Sequence, residues 1–135
     1  MKLTGTFLDE ITHDIPSNNW GRQQWDDEFA CMRQIGIDTV IMIRAGVGRT
    51  AACPSKVLSE QADIYPVYED LVHMFLDLAE KHSLDFWFGT YDSATWPTRE
   101  RSLEQELDLG RAFCDEVWQR YGHRTAFKGW YLTFE

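Results

Sequence analysis

Apolar residues occur along this chain in two patterns, and the two patterns alternate. Short runs that are apolar throughout, such as TVIMI at residues 39–43, are typical of parallel β-strands covered on both faces. Longer segments carry apolar residues at every third or fourth position, which predicts amphipathic α-helices. The predicted strands are residues 3–10, 38–44, 84–91 and 127–135, and the predicted helices are residues 21–35, 67–82 and 102–121.

The first and third helices have a clear apolar stripe. In the first helix the stripe consists of Trp25, Phe29, Met32 and Ile35. In the third helix it consists of Leu103, Leu107, Gly110, Cys114, Val117 and Tyr121. Ser102 and Gln105 predict a capping box at the start of the third helix. We therefore expect one face of each helix to pack on the strands.

The elements follow each other in the order β-α-β-α-β-α-β, which predicts an α/β fold with parallel strands in sequential order. Right-handed crossovers of this kind build either an open doubly wound sheet or a (β/α)8 barrel. Sequential order and a polar residue at the end of every strand favour the barrel. A complete barrel needs about 250 residues, and this chain has 135.

We therefore predict a single domain, residues 1–135, that forms the (βα)3β half of a TIM barrel. The half would be either a fragment of a longer protein or a unit that completes itself by association. A lone half would expose its two edge strands and the inner face of its sheet. We expect either self-association or a missing C-terminal half to cover them.

Polar and aromatic residues gather where the predicted strands end, which is the edge at which barrel enzymes carry their chemistry. The last strand, GWYLTFE, ends on Glu135, our first candidate for a functional residue. Residues 45–66 form a long connection with a short helical turn predicted at 55–61, and connections of this length are usually functional. The other candidates are Asp9, Glu10, Arg44, Tyr91 and Asp92 at strand ends and Trp20, Tyr65 and Trp96 in the following loops.

Carboxylates beside flat aromatic rings are what glycoside chemistry requires. One carboxylic acid protonates the leaving oxygen, and a second acts as nucleophile or base. Aromatic rings pack against the apolar faces of sugars, while charged groups hydrogen-bond their hydroxyls. The same residues also have ordinary structural roles open to them: Asp9 and Glu10 as loop caps, Arg44 in an ion pair, and Trp20 as a staple for the first helix.

Composition excludes several classes of function. The formal net charge of −9 argues against a nucleic-acid or anionic-membrane surface. No apolar run is long enough to span a membrane, and the chain shows no signal peptide. Cys31, Cys53 and Cys114 have no metal-ligand spacing, and we interpret them as free thiols, with Cys31 and Cys114 on buried helix faces. His13 near Asp9 and Glu10 matches no recognised metal pattern, so we predict no metal and no cofactor.

Three stretches resemble the start of a bacterial family of glycosidase-like barrels that is catalogued as a domain of unknown function. They are GTFLDEI at residues 5–11, Asn19-Trp20-Gly21 with Trp25, and MRQIGIDTVIMIR at residues 32–44. The terminal GWYLTFE is similar to the fourth-strand motif of that family. The resemblance covers the whole chain but only the N-terminal half of a full barrel.

The resemblance implies a role for Glu135. In the large retaining clan of barrel glycosidases, a Glu at the end of strand four is the general acid/base and its nucleophile partner lies on strand seven. Glu135 would then be the acid/base, and the nucleophile would lie outside this chain. The sequence departs from that clan at Phe134, where the clan has Asn. Relatives are often periplasmic or secreted, although no residue here determines a compartment.

Two alternatives remain open at this point. The chain could be a non-catalytic carbohydrate-binding or assembly module, in which the same residues only hydrogen-bond a glycan. It could also be an open, flavodoxin-like sheet that binds a small effector, although residues 11–19 lack the features of a phosphate-binding turn. An isolated chain of the predicted kind would have little hydrolytic activity, because it supplies one of two required carboxylates.

Overall fold

The computed structural model describes residues 2–12, 14–95 and 100–133. The elements in chain order are β1 (Gly5–Leu8), α1 (Arg22–Gln34), β2 (Thr39–Met42), β3 (Gly46–Val47), β4 (Thr50–Ala51), α2 (Lys56–Gln61), α3 (Leu71–His82), β5 (Asp85–Gly89), β6 (Tyr91–Asp92), α4 (Leu103–Tyr121) and β7 (Phe127–Tyr131).

The main sheet has four parallel strands in the order β1-β2-β5-β7, which is their order along the chain. Helices alternate with these strands, so the predicted α/β fold with sequential parallel strands is confirmed. This is the arrangement found in part of a (β/α)8 barrel. A flavodoxin-like sheet would place the first strand between the second and third, whereas among the described residues β1 lies at the edge of the sheet and pairs with β2. The alternative of an open flavodoxin-like sheet is therefore wrong.

One face of the main sheet carries the hydrophobic core. Val40 and Phe86 project from neighbouring strands and are fully buried. The ring of Phe86 stacks on Phe75 from α3, and that of Phe88 packs on Phe113 from α4. The apolar runs of the strands thus pack against the apolar stripes of the helices, as the two sequence patterns predict.

The opposite face of the sheet is apolar but only partly covered by the described residues. Phe7 of β1 is 54% exposed, and Trp87 of β5 is 38% exposed. The rings of Phe7 and Tyr131 meet edge to face at 5.2 Å. A Cβ atom at Gly129 would lie 2.6 Å from the Trp87 ring, so glycine is required there for the ring to lie flat on β7. This aromatic face corresponds to the interior of a barrel.

The long connection at residues 45–66 is more structured than predicted. It contains β3 and β4, which form a second, three-stranded sheet with β6. The helical turn predicted at 55–61 is confirmed as α2. The Ser55 hydroxyl accepts from the Leu58 N–H at 3.0 Å, and the Glu116 carboxylate of α4 accepts from the Lys56 N–H at 2.8 Å. A carboxylate at the N-terminus of α2 satisfies free N–H groups and complements the helix dipole.

Several details of the predicted helices are wrong. Ile35 is 72% exposed, and Cys31 is exposed although its helix face was predicted to be buried. Helix α3 begins at Leu71, four residues later than predicted, because the Asp70 carboxylate accepts from the His73 N–H and caps the helix there. The predicted strands are also longer than the observed ones, each of which has four or five residues in the main sheet.

The apolar stripe of α4 is partly shifted relative to the prediction: Val117 and Tyr121 are buried as predicted, whereas the leucines nearer the start of the helix are not. Leu103 and Leu107 are 53% and 46% exposed. The residues that face inward are Glu106, Leu109, Phe113, Val117 and Tyr121. Both series follow helical spacing, and only packing distinguishes them. The capping box at Ser102 and Gln105 is confirmed. Among the described residues, no helix has the length and apolar character that crossing a bilayer requires.

Candidate functional site

A cleft of about 610 Å³ lies beside the C-terminal end of β1. Its walls come from the loop that joins β1 to α1, from β4 and from the segment that leads into α3. Glu10 and Trp20 line it, so the structure brings together two of the residues predicted from the sequence. Tyr68 and Glu69 line the opposite side. The cleft therefore combines two carboxyl groups with two aromatic rings.

The loop after β1 is shaped by Asp9. Its carboxylate accepts hydrogen bonds from the N–H groups of Ile11 and Thr12, both at 3.2 Å, and from the Thr12 hydroxyl. The Ser17 hydroxyl donates to the Asp9 carbonyl at 3.0 Å, and Asn18 donates to the Thr12 carbonyl at 3.0 Å. The side chain of Asp9 thus holds the loop in the conformation that presents Glu10 and Trp20 to the cleft.

Glu10 is the buried polar group of this site. Its side chain is 9% exposed, and its Oε2 atom has no hydrogen-bond partner in the described part of the chain. Burial raises the pKa of Glu10 to about 7. The Trp25 indole N–H and the Asn19 N–H oppose this shift, while the negative charges of Asp9 and Glu69 reinforce it. The Trp25 N–H stays outside hydrogen-bonding geometry and is itself buried without a partner. A carboxyl with this pKa can donate or accept a proton near neutral pH.

Trp20 connects the cleft to the core. Its ring meets Trp25 edge to face at 5.1 Å, and Trp25 meets Phe75 in the same way at 5.0 Å. Trp20 also lines a smaller groove of about 230 Å³ that adjoins Phe7 and Asp9. The ring is therefore held by packing on one side and open to two grooves on the other, which suits both a staple for α1 and a surface for a flat ligand.

Tyr65 does not line the cleft. It lies in a separate groove of about 430 Å³ next to Pro54 and α2. The Arg49 guanidinium stacks over the Tyr65 ring at 4.4 Å, and Arg49 pairs with Asp63 at 2.8 Å. The long connection therefore places this aromatic residue in a groove that Glu10 does not line.

Tyr91 and Asp92 belong to the second sheet. Tyr91 is 4% exposed and donates its hydroxyl to the Gly48 carbonyl at 2.6 Å. A Cβ atom at Gly46 would lie 2.7 Å from the Tyr91 ring. The Asp92 carboxylate accepts from the Ala94 N–H at 2.8 Å, which shapes the turn after β6. Both side chains thus have partners within the protein.

Arg44 follows β2 and is half-buried. Its Nε atom is buried without a hydrogen-bond partner, and Arg44 makes no ion pair within residues 2–12, 14–95 and 100–133. Trp96 and Glu135 lie outside the described residues, as does His13. The chain is anchored just before Glu135, since the buried Thr133 hydroxyl donates to the Thr90 carbonyl at 2.9 Å. No group of three His, Cys, Asp or Glu side chains in the described part could hold a metal ion.

Tyr68 and Glu69 are candidate site residues that the sequence analysis missed. The helix predicted at residues 67–82 placed them within its first turn, whereas they precede α3 in the structure. A signal was present: Asp70 stands directly before the apolar period that begins at Leu71, as a helix N-cap does. Recognising it would have put both residues in a loop at the strand ends.

Comparisons with known proteins agree with the fold described above. A protein family described as "Domain of unknown function (DUF4434)" matches residues 3–135. A solved structure from Bacteroides thetaiotaomicron VPI-5482, titled a "putative alpha-L-fucosidase", is 47% identical with a TM-score of 0.88, covering 98% of this chain and 41% of that one. No curated protein gives a significant match.

A second solved structure is a beta-galactosidase from the psychrophilic Marinomonas ef1, with a TM-score of 0.61 over all of this chain and 22% of that one. At 18% identity it supports the fold alone. The chain thus spans less than half the length of either glycosidase structure. Both structures share the fold described here.

Proposed function

This chain belongs to the DUF4434 family, and we propose that its acidic and aromatic strand-end residues bind a glycan as part of a glycoside hydrolase. The observation that carries the proposal is the cleft that Glu10 and Trp20 both line. A buried carboxyl with a pKa near 7 beside an indole ring is suited to hydrogen-bonding sugar hydroxyls and packing on a sugar face. The likeness to a protein titled a fucosidase supports the same substrate class.

We propose that the fold is one part of a complete barrel. The matched structures are more than twice as long as this chain, and the exposed rings of Phe7 and Trp87 form a sheet face that a barrel would enclose. Either the remainder of a longer protein or a second associating copy would cover it. The second catalytic carboxylate would then lie outside the 135 residues.

We assign a role to each candidate residue from the strand end at which it lies. Glu135 acts as general acid/base, the role implied by the resemblance of its strand to the fourth strand of retaining barrel glycosidases. Glu10 and Arg44 orient the substrate, since they follow the ends of β1 and β2 respectively. Trp20 supplies a stacking surface. The remaining proposed contacts are Asp9, Tyr65, Tyr91, Asp92 and Trp96.

The test is to replace the proposed acid/base in the full-length protein. Glu135→Gln should reduce turnover of a susceptible aryl glycoside by at least about 100-fold while sugar binding is retained, since general acid–base catalysis contributes roughly that much. Glu104→Gln, on the exposed first turn of α4, is the matched control and should leave turnover unchanged. Equal turnover by the Glu135→Gln and control variants would end the assignment.

A non-catalytic carbohydrate-binding module is the second candidate. It is favoured by the engagement of Asp9, Tyr91 and Asp92 in hydrogen bonds within the protein. The same experiment distinguishes the two, because a binding module would bind glycans without turning over any glycoside in a broad panel.

A further inference from the structure

We propose that Thr90 and Thr133, called here the threonine pair, are positioning residues for the acid/base Glu135. The inference rests on the proposed function, because it assumes that Glu135 donates the proton, and it adds the groups that hold the chain leading to it. Thr90 follows β5 and Thr133 follows β7. Both therefore lie at the edge of the sheet that carries the chemistry of barrel enzymes. Thr133 precedes Glu135 by two residues in the sequence.

The threonine pair is buried and joined by side-chain hydrogen bonds. Thr90 is 6% exposed and Thr133 is 4% exposed. The Thr133 hydroxyl donates to the Thr90 carbonyl at 2.9 Å, and the Thr133 N–H donates to the Thr90 hydroxyl at 3.2 Å. The two hydroxyl oxygens are 3.1 Å apart, within hydrogen-bonding distance. The segment after β7 is thus held to the end of β5 through both hydroxyl groups.

These bonds begin where the backbone ladder between the two strands ends. β5 and β7 pair as far as Gly89 and Tyr131, and the Thr90 N–H donates to the Tyr131 carbonyl at 3.0 Å. The chain then enters β6, which pairs with β3 in the second sheet. Beyond this point the Thr133 N–H is bonded to a side chain instead of a backbone carbonyl. The threonine pair therefore extends the contact between the two strand ends after their backbones diverge.

Thr90 also reaches the end of a third strand. The Ala45 N–H, directly after Arg44, donates to the Gly89 carbonyl at 3.0 Å and to the Thr90 carbonyl at 3.2 Å. A Cβ atom at Gly89 would lie 2.2 Å from the Met42 carbonyl oxygen, so glycine is required for β2 and β5 to approach this closely. Thr90 thus joins the segment that carries Arg44 to the segment after β7.

The threonine side chain is suited to this positioning role because it is stiff. Two heavy atoms on Cβ restrict χ1, so the hydroxyl keeps its direction. Valine has nearly the same shape but offers no hydroxyl, and it would leave a buried N–H or carbonyl of the pair with one partner fewer. Valine substitution therefore removes the hydrogen bonds while it largely preserves the packing.

Position matters for the proton transfer that is assigned to Glu135. The carboxyl gives its proton to the glycosidic oxygen as the bond between that oxygen and the anomeric carbon breaks. The electron pair of the bond stays on the oxygen, and the second carboxylate forms the new bond to the anomeric carbon. Misplacement by about 1 Å can lower the rate about 100-fold. A leaving group that is stable as an anion departs without the proton, so its rate does not depend on where the donor lies.

The experiment compares two leaving groups on one sugar with the full-length protein. The substrates are the phenyl and 2,4-dinitrophenyl glycosides of the sugar that is turned over fastest in a panel of aryl glycosides. Thr133→Val should lower kcat/KM about tenfold for the phenyl glycoside and less than about twofold for the dinitrophenyl glycoside, because only the first requires the proton. Thr133→Ser keeps the hydroxyl and should bring the phenyl value to within about threefold of the unaltered protein.

Two further variants test whether the effect belongs to the threonine pair. Thr125→Val is the matched control, because the Thr125 hydroxyl donates to Glu80 at 3.2 Å just before the opposite end of β7. It should leave kcat/KM unchanged for both substrates. Thr90→Val removes the other hydroxyl of the pair and should show the same dependence on the leaving group as Thr133→Val. Equal losses on both substrates in the two valine variants of the pair, or failure of both to fold, would overturn the inference, since the pair would then act on stability alone.

Glu135→Gln, measured with the same two substrates, separates the inference from the proposed function. A larger loss on the phenyl glycoside in Glu135→Gln and in at least one valine variant of the pair, with recovery in Thr133→Ser, supports both. The same dependence in Glu135→Gln but in neither valine variant overturns the inference alone. If Glu135→Gln shows no such dependence, or if the unaltered protein turns over no aryl glycoside, the acid/base assignment is overturned together with the inference.

Discussion

Replacing Glu10 by Gln should make the protein more stable at alkaline pH and leave its stability almost unchanged at acidic pH. The folded protein raises the pKa of Glu10 from the ordinary value of 4.5 to about 7, chiefly by burial. The folded state thus binds the proton more tightly than the unfolded state does. Stability that depends on this carboxyl is fully present below pH 4.5 and is lost as the pH rises through 7.

The magnitude follows from the size of the pKa shift. Each pKa unit corresponds to about 1.4 kcal/mol, so the shift of Glu10 amounts to about 3 kcal/mol. Solvent that enters through the open cleft reduces this to about 2 kcal/mol. Glutamine resembles the protonated carboxyl in shape and carries no charge, so the variant avoids the loss. At pH 8 the variant should be about 2 kcal/mol more stable than the unaltered protein, and at pH 4.5 the two should nearly agree.

The assay is urea denaturation at half-unit steps between pH 4.5 and 8, with equal slopes required before the free energies are compared. Glu104→Gln removes an exposed carboxylate and is the control, with an expected change of less than about 0.5 kcal/mol at every pH. Parallel pH profiles for the unaltered protein and Glu10→Gln would refute the reasoning, because they would mean that the carboxyl has the same pKa in both states.

Two further predictions concern the scaffold. The Arg124 side chain is 13% exposed and bonds the carboxylates of Asp77 and Glu80, each at 2.7 Å, so Arg124→Met should lower the free energy of unfolding by about 2 kcal/mol. Arg124 lowers the pKa of Glu80 to about 2. The contribution of this contact should therefore disappear in acid denaturation as the pH falls from 4.5 towards 2. Gly129→Ala would place a Cβ atom 2.6 Å from the Trp87 ring and should lower the free energy of unfolding by about 1–3 kcal/mol. Gly110→Ala is the matched control, because no neighbouring residue lies within 4 Å of its Cβ position, and it should raise the free energy of unfolding by about 0.5–1 kcal/mol. Both changes are measured by thermal or urea unfolding.

The main sheet could be predicted because its signals are strong and local. Runs such as residues 39–43 are apolar on both faces, a pattern typical of a parallel strand between two layers. The crossover helices then leave a small number of topologies. The second sheet could not be predicted, because β3, β4 and β6 have two residues each and a pair has no periodicity to recognise.

The sequence pattern also does not determine which face of α4 is buried. Two series of positions on this helix follow the same spacing, and the series that the sequence favours by leucine content is the more exposed one. The buried series includes Glu106, which accepts hydrogen bonds from the Ser93 hydroxyl at 2.6 Å and the Thr95 hydroxyl at 3.0 Å. A hydrophobic pattern predicts that a carboxylate is exposed. Glu106 is buried because hydroxyl groups that are distant in the sequence donate hydrogen bonds to it in the folded chain.

The candidate site, too, could be predicted only in part from the sequence. Glu10 and Trp20 were predicted because they lie in the connection between β1 and α1, whose two ends are fixed by these elements. Tyr65 lies about twenty residues after β2, and the path of that connection depends on a hairpin and a helix whose arrangement the sequence pattern does not reveal. Strand-end position therefore predicts a site residue well for short connections and poorly for long ones.

The neighbouring carboxylates Asp9 and Glu10 have two different roles: one stabilises the loop, and the other is held buried by it. Asp9 uses its oxygen atoms to close the loop, accepting three hydrogen bonds from Ile11 and Thr12. These bonds occupy the carboxylate oxygens of Asp9 and remove them from any ligand. Glu10, one residue further, is held by that loop with an oxygen atom unpaired. The fold thereby retains a destabilising carboxyl next to a stabilising one, a combination that is expected at functional sites, where stability is given up for activity.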